Sequence, residues 1–219
     1  MAKFIDNYKS FFNDRKAISL TFAALFLLAI SLIANLYAGR YASLRESNAV
    51  TDIILSNIRA FDVDSIFVYG TFIAFLGLLI YLIRKPFQIP YVIKSIALFV
   101  VVRSIFIMLT HIGPYPVIAD LNPNMPLMYL FSHFSFTGDL FFSGHAGLPF
   151  LLALIFRKKA IYRYILLVVS LFFSVIVLLG HLHYSIDVLS AFFIAYGIFH
   201  MSQVFFPQDK AYFDASFSE

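Results

Sequence analysis

The sequence predicts an all-α membrane protein with six transmembrane helices, and three observations support this. Of the 219 residues, 61% are hydrophobic and 13% are charged, which is too apolar for an ordinary soluble domain. The mean hydropathy of +0.87 agrees with that composition. Apolar runs close to the roughly 20 residues that cross a bilayer recur along the chain. The predicted spans are residues 17–37, 65–83, 91–110, 140–156, 164–179 and 186–206.

Shorter apolar segments outside these spans are expected to lie at the membrane surface. Residues 1–16 place aromatic side chains at helical spacing among cations, which predicts an amphipathic helix, with a solvated tail as the alternative. In the loops on the opposite side, short interfacial helices are expected: 50–61 is the candidate for a helix at the interface, and 125–136 is an apolar segment expected to dip into it. The predicted organisation is therefore an amphipathic segment, a membrane domain, and a polar cytoplasmic tail. Their bounds are 1–16, 17–206 with a catalytic core of about 91–206, and 207–219.

The distribution of cations predicts the orientation in the membrane. Six spans place both chain ends on one side, and eleven of the sixteen lysines and arginines lie in the terminal segments and turns on that side. The opposite loops hold Arg40, Arg45 and Arg59. Because cations favour the cytoplasmic side, both termini are predicted to be cytoplasmic. The net charge of +4 is explained by this bias, and no nucleic-acid partner is expected. The absence of cysteine excludes disulfides and thiolate metal sites.

A first group of ionisable residues stands at the start of the sixth span. His183 and Asp187 are four residues apart, so a helix beginning here places them one turn apart on one face. Such a carboxylate accepts the proton of one imidazole nitrogen and leaves the other as base or nucleophile. The alternative is a structural pair that caps the span. His181 is a candidate for contact with phosphate or headgroup, or an interfacial residue, and Tyr184 is a candidate interface anchor and substrate contact.

A second group opens the fourth span. Ser143 is placed to cap the helix, and the first N–H groups of a helix form a ready anion site. Gly144 allows a phosphate to approach the backbone, and His145 is placed to protonate a leaving oxygen. Asp139 is a candidate to orient His145 or an acceptor. Because one tight turn joins the fourth and fifth spans, an up-down-up arrangement brings both groups to the same, non-cytoplasmic surface.

The two groups together resemble the sphingomyelin synthase family, a branch of the type 2 phosphatidic acid phosphatase superfamily. The matching motifs are Gly-Asp-x-x-x-Ser-Gly-His over 138–145 and His-Tyr-Ser-x-Asp-Val over 183–188. The resemblance extends from Arg103, where the family has an arginine, to about residue 195. The chain departs from the family at Thr137 and Ala146, where a cysteine and a threonine are usual. It departs from the phosphatase branch at Val177, where that branch has an arginine, and this favours the synthase branch.

The resemblance implies an integral membrane lipid phosphotransferase that works through a phosphohistidine. His183, oriented by Asp187, would attack the phosphorus of a glycerophospholipid, and His145 would act first as acid and then as base. The acceptor would be a ceramide-like or diacylglycerol-like lipid alcohol, and no metal or other cofactor would be needed. The partners would be membrane lipids, as phospholipid donor and lipid alcohol acceptor. The site would open on the periplasmic or lumenal face. Arg103 would hold phosphate oxygens, and the alternative for Arg103 is a structural ion pair with Asp139 or Asp187.

Three other functions remain open from the residues alone. A lipid phosphate phosphatase or phospholipase C-type hydrolase differs from a transferase only in using water as acceptor. A metal enzyme would use His145, His181, His183 and Asp187 as zinc ligands. A non-enzymatic transporter or channel also uses polar residues inside the membrane, although here they gather at one face and do not form a chain across the bilayer. The sequence does not predict the headgroup or the oligomeric state.

Overall fold

The structure, a computed structural model, describes residues 2–118 and 138–217, with side chains from residue 5 onward. The predicted interfacial segment 125–136 lies outside the described residues. Within the described residues, the fold contains eight α-helices and no strand. The helices are α1 (Ala2–Asn13), α2 (Arg15–Leu44), α3 (Asp64–Arg84), α4 (Ile89–Leu109), α5 (Gly144–Ile155), α6 (Ala160–Leu179), α7 (Ser185–Phe205) and α8 (Pro207–Ala215).

Five of these helices are long and apolar enough to cross a membrane. They are α2, α3, α4 together with the 3₁₀ turn before it, α6 and α7, and they correspond to five of the predicted spans. The predicted fourth span, 140–156, is not confirmed at full length, because only the 12 residues of α5 are helical. At about 1.5 Å per residue, α5 is about 18 Å long, against a bilayer core of about 30 Å.

Helices α2 and α4 form the most extensive helix pair in the described part of the chain. On α2, a small residue recurs at every seventh position, and each of these is at most 1% exposed. They are Ala17, Ala24, Ser31 and Ala38. A seven-residue repeat of small side chains allows two helix backbones to approach closely along a left-handed seam. The pair α2–α4 therefore provides a rigid wall for the elements that follow.

The first outer loop contains less helix than the sequence pattern suggested. The expectation of an interfacial helix over 50–61 was wrong, since only the 3₁₀ turn Leu55–Asn57 forms there. Asp52 Oδ1 accepts hydrogen bonds from the N–H groups of Ile54, at 2.8 Å, and Leu55, at 3.0 Å. These bonds cap the start of the turn, and the turn ends where Ile58 takes up an extended backbone conformation.

The two chain ends meet at one end of the bundle. The predicted N-terminal helix is confirmed as α1, and Phe11 packs edge-on against Phe87, with centroids 5.4 Å apart. Phe87 also stacks on Tyr212 of α8 at 6.4 Å. The sequence pattern did not predict that the polar tail contains this helix. That the shared end is cytoplasmic remains a prediction.

A buried ion pair fixes α8 to the start of α4. Lys94 Nζ lies 2.7 Å from Asp209 Oδ1, and the two side chains are 8% and 4% exposed. Next to this pair, Phe213 packs against Tyr91 with ring centroids 5.3 Å apart. A buried cation of this kind is stable only while its counter-charge is present.

Replacing Lys94 with alanine is expected to lower the free energy of unfolding by about 3–5 kcal/mol, because Asp209 would remain buried without its counter-charge. Thermal unfolding in detergent measures the loss. Lys158→Ala is the control, because this lysine pairs with Asp214 but its side chain is 54% exposed and surface pairs contribute little. The double change Lys94→Met with Asp209→Leu is expected to recover most of the loss. Equal destabilisation by Lys94→Ala and Lys158→Ala would contradict the prediction.

Candidate active site

The turn before α7 places His183 between two acceptors. Its Nδ1 lies 2.9 Å from the carbonyl oxygen of Leu140 and 3.5 Å from Oδ2 of Asp187. The side chain of His183 is 7% exposed, and that of Asp187 is fully buried. A carbonyl and a carboxylate both accept hydrogen bonds, so Nδ1 carries the proton and donates it. Nε2 of the neutral ring is then left with its lone pair.

Asp187 both caps α7 and faces His183. Its Oδ2 accepts a hydrogen bond from Tyr184 N–H at 2.9 Å, which forms part of a capping box. Its other oxygen, Oδ1, is buried without a hydrogen-bond partner in the part of the chain that the structure describes. The structural interpretation from the sequence therefore holds in part, and the capping carboxylate is also available to stabilise a positive charge on the imidazole of His183.

The start of α5 is tied directly to this turn. Ser143 is the N-cap as predicted, with its side chain accepting from Ala146 N–H at 3.4 Å. Its own N–H donates to the carbonyl oxygen of Asp187 at 3.0 Å. This bond joins the two motifs, which are about forty positions apart in the sequence, at one end of the bundle.

His145 lies in the first turn of α5, between aromatic rings of α3 and α6. Its ring centroid is 4.5 Å from that of Phe67 and 5.9 Å from that of Phe173. Ser143, two residues before His145, donates its N–H to the carbonyl oxygen of Asp187 in the turn that carries His183. The two histidines predicted to share one phosphorus atom therefore lie at the same end of the bundle, on separate elements.

Arg103 holds the segment that leads into α5. Its Nε donates to the carbonyl oxygen of Phe142 at 3.1 Å, and its Nη2 donates to that of Asp139 at 3.2 Å. Its Nη1 pairs with Asp139 Oδ1 at 2.5 Å. A Cβ added to Gly144 would lie 3.4 Å from Arg103 Nε, so the guanidinium rests against the start of the helix. Of the two structural partners considered for Arg103, the structure selects Asp139.

Glycine is required where this segment crosses α2. A Cβ added to Gly138 would lie 2.6 Å from the backbone carbon of Ala42, which is closer than two such atoms can approach. The N–H of Gly138 donates to Ser43 Oγ at 3.2 Å. Gly138 thus allows the chain to pass close to α2, and in this position the next residue, Asp139, pairs with Arg103.

Backbone strain occurs at both motifs. Among the described residues, Phe142 and His181 are the non-glycine residues with positive φ, at 30° and 54°. Such conformations are costly for residues with a Cβ and often accompany functional sites. Phe142 has its positive φ directly before the N-cap Ser143, and its own carbonyl oxygen accepts the hydrogen bond from Arg103 Nε.

His181 is buried, at 3% exposed. Its Nδ1 lies 2.7 Å from the carbonyl oxygen of Val117, so Nδ1 carries the proton. Its Nε2 is buried without a hydrogen-bond partner within the described ranges. In the neutral ring that nitrogen is an acceptor, so it suits a hydroxyl group and would contact a phosphate only when protonated.

Tyr184 connects the active-site turn to two outer loops and is not exposed at an interface. It is 1% exposed, and its hydroxyl donates to the carbonyl oxygen of Gly113 at 2.8 Å and accepts from Val50 N–H at 3.2 Å. The neighbouring Ser185 is bound by Asp52. Asp52 was not predicted as a site residue, because no spacing rule links residues that are 133 positions apart.

The zinc interpretation receives no support from the arrangement of side chains. Across 2–118 and 138–217, no three His, Asp or Glu side chains are grouped as ligands of one metal ion. His145, His181, His183 and Asp187 all lie within these ranges. Nδ1 of both His181 and His183 is engaged with a backbone carbonyl oxygen.

Comparison with protein families agrees with this geometry. Residues 137–204 match the family model described as PAP2 superfamily C-terminal. The matched stretch contains His145, His183 and Asp187. The match supports the type 2 phosphatidic acid phosphatase superfamily, and membership of that superfamily suggests lipid phosphatase or phosphotransferase activity. No curated protein matches the chain, and no solved structure does.

Proposed function

We propose that this protein is a membrane lipid phosphotransferase of the sphingomyelin synthase type. It moves a phospho-headgroup from a glycerophospholipid to a lipid alcohol. The observation that supports this best is the position of His183, whose Nδ1 is held by Leu140 and Asp187, leaving Nε2 as the nucleophile. His145, in the first turn of the helix that Ser143 ties to Asp187, would supply the acid and base that the reaction requires.

In the first half of the reaction, Nε2 of His183 attacks the phosphorus of the donor lipid. A nitrogen–phosphorus bond forms, and the bond from phosphorus to the diacylglycerol oxygen breaks. His145, in its protonated form, gives a proton to the departing oxygen, so that diacylglycerol leaves as a neutral alcohol. The positive charge that develops on His183 is stabilised by Asp187, and this attraction would shorten the present separation of 3.5 Å.

In the second half, the hydroxyl oxygen of the acceptor attacks the phosphorus. His145, now neutral, takes the hydroxyl proton, and the nitrogen–phosphorus bond breaks. His183 returns to its neutral state and His145 to its protonated state, so no proton is gained or lost over the cycle. The product is a phosphodiester of the acceptor alcohol, and the chemistry involves no oxidation or reduction.

The phosphate group is expected to lie at the start of α5. The N–H of Gly144 has no backbone partner in the described part of the chain, and a helix start favours an anion. The start of α7 offers no comparable site, because carboxylates already accept from Tyr184 and Ser185 N–H. Arg103, beside Gly144, would turn part of its guanidinium from Asp139 to the phosphate oxygens.

Substitutions of Arg103 and Asp139 are expected to lower kcat/KM by different amounts. Replacing Arg103 with methionine should lower kcat/KM by about 10²- to 10³-fold, since the phosphate loses a cationic partner and the segment before α5 loses its anchor. Asp139→Asn keeps the guanidinium bonds to both carbonyl oxygens, and its loss should be roughly ten times smaller than that of Arg103→Met. Initial rates on a headgroup-labelled phospholipid measure both. Equal losses would indicate that Arg103 serves only to pair with Asp139.

Hydrolysis is the second candidate function, because the matched superfamily includes lipid phosphatases. The two reactions share the first half and differ only in the acceptor. The two reactions can be distinguished by placing purified protein in vesicles of headgroup-labelled phospholipid and comparing the products with and without added ceramide or diacylglycerol. Transfer moves the label to the added alcohol, so a labelled product that differs from the donor in its backbone or acyl chains forms only when the alcohol is present. Release of a water-soluble labelled phosphate ester in both conditions indicates hydrolysis, and no turnover of any phospholipid class by the folded protein would refute both.

A further inference from the structure

We propose that Asp52, in the first outer loop, is a positioning residue for His183 and Asp187. This inference builds on the proposed function, because it assigns a role in the same reaction to a residue outside both histidine motifs. Asp52 would not touch the substrate. It would act by fixing the first residue of α7, Ser185, which stands between the nucleophile and its carboxylate partner.

The contacts of Asp52 are those of an organising group and not of a surface carboxylate. The residue is 6% exposed. Its Oδ2 accepts from Ser185 N–H at 2.7 Å and from Ser185 Oγ at 2.8 Å. Its Oδ1 accepts from the N–H groups of Ile54 and Leu55. Both oxygens are therefore used, one toward its own loop and one toward α7.

These bonds complete the N-terminus of α7. Asp187 already accepts from Tyr184 N–H, and Asp52 accepts from the next N–H along the chain. Two carboxylates at a helix start are favoured by the helix dipole. With both carboxylates bound to the helix start, the backbone from His183 to Asp187 is fixed in position. The imidazole of His183 therefore stays hydrogen-bonded to the carbonyl oxygen of Leu140.

Asp52 is itself held firmly and stays charged. Burial acts to raise the pKa of Asp52, but the hydrogen bonds from Leu55 and Ser185 outweigh this and lower it below its ordinary value. The loop around it is attached at two further points, since Val50 N–H donates to Tyr184 Oη and Phe61 N–H donates to the carbonyl oxygen of Leu179. The first outer loop is thus a fixed part of the active-site wall.

The Asp52→Asn variant tests the proposal. Its kcat for phospholipid turnover is expected to fall by roughly ten- to a hundredfold, because hydrogen bonds to a charged group are exchanged for weaker ones. The KM is expected to stay within about twofold, since Asp52 does not contact substrate. Glu46→Gln is the matched control, because it removes an exposed negative charge from the same loop and is expected to leave both constants unchanged. A loss confined to KM, or a kcat equal to wild type in the folded variant, would overturn the proposal.

Two further measurements keep the proposal testable if Asp52→Asn folds poorly or the protein shows no turnover. Ser185→Ala removes only the Oγ donor, so its kcat should fall by roughly two- to fivefold. Where Asp52→Asn folds, the variant with both substitutions should be no slower than Asp52→Asn alone. The ¹⁵N imidazole resonances of His183, assigned by their loss in His183→Ala, should shift in Asp52→Asn or Ser185→Ala and not in Glu46→Gln. Unshifted resonances or an unchanged Ser185→Ala rate would overturn the proposal. Shifted resonances in a protein inactive on all phospholipids would instead refute the proposed function alone.

Discussion

Replacing His183 with alanine is expected to lower phospholipid turnover by at least about 10⁴-fold, because the proposed reaction has no other nucleophile. No labelled phosphohistidine should be trapped from this variant when the reaction is quenched rapidly at high pH, where the wild-type protein should yield one. The effect follows from the geometry, in which Leu140 and Asp187 engage Nδ1 and leave Nε2 for the attack.

The control for this experiment lies on the same helix. His200 is exposed near the opposite end of α7. Its ring centroid lies 4.6 Å from that of Tyr196 and 5.2 Å from that of Phe199. His200→Ala removes an imidazole without approaching the active site, and its turnover should stay close to wild type. Comparable losses in the two alanine variants would point to a defect of the membrane domain. Full turnover by folded His183→Ala would refute the phosphohistidine mechanism.

Replacing His145 with alanine is expected to slow turnover of a natural phospholipid by about 10²- to 10⁴-fold, the usual contribution of a general acid or base. The decisive measurement uses a donor whose leaving group departs without protonation, such as a nitrophenyl ester of the same phospho-headgroup. With that donor, the His145→Ala variant should form the phosphohistidine at a rate close to wild type, because the first step no longer requires the acid.

The contrast between the two histidines separates their roles. His183→Ala should remain inactive on the nitrophenyl donor, because an activated leaving group does not replace a nucleophile. In His145→Ala, the phosphohistidine should accumulate, since attack by the acceptor hydroxyl still requires a base. If the activated donor restores neither variant, His145 contributes to the shape of the site and not to proton transfer.

The predictable part of the site was the part encoded in local spacing. His183 and Asp187 are four positions apart, and because a helix begins at Ser185, that spacing places them close together. In the same way, a serine before an apolar run predicted the cap of α5. Hydropathy identified the five long apolar helices, because a bilayer-spanning helix must be apolar over about 20 residues wherever it sits in the chain.

The parts that were missed depend on contacts between distant residues. Nothing near Asp52 indicates that its carboxylate binds a serine at the start of α7. Likewise, the polar segment 207–219 gave no sign of a docked helix, because the partner of Asp209 is a lysine buried in α4. For Arg103, the sequence offered two structural partners, and only the path of the segment before α5 selects Asp139.

The length of α5 has a consequence for how a lipid reaches the site. Its C-terminal end lies beside α8, since Phe156 packs on Phe213 at 5.5 Å. With the α8 end of the bundle at one surface of a bilayer core about 30 Å thick, a helix of about 18 Å would end roughly 12 Å short of the other surface. Arg103, six residues before the end of α4, sits about 9 Å below that end. On the proposed function, we therefore expect the donor lipid to sink below the plane of its neighbours, and turnover to be faster in thin, short-chain bilayers than in thick ones.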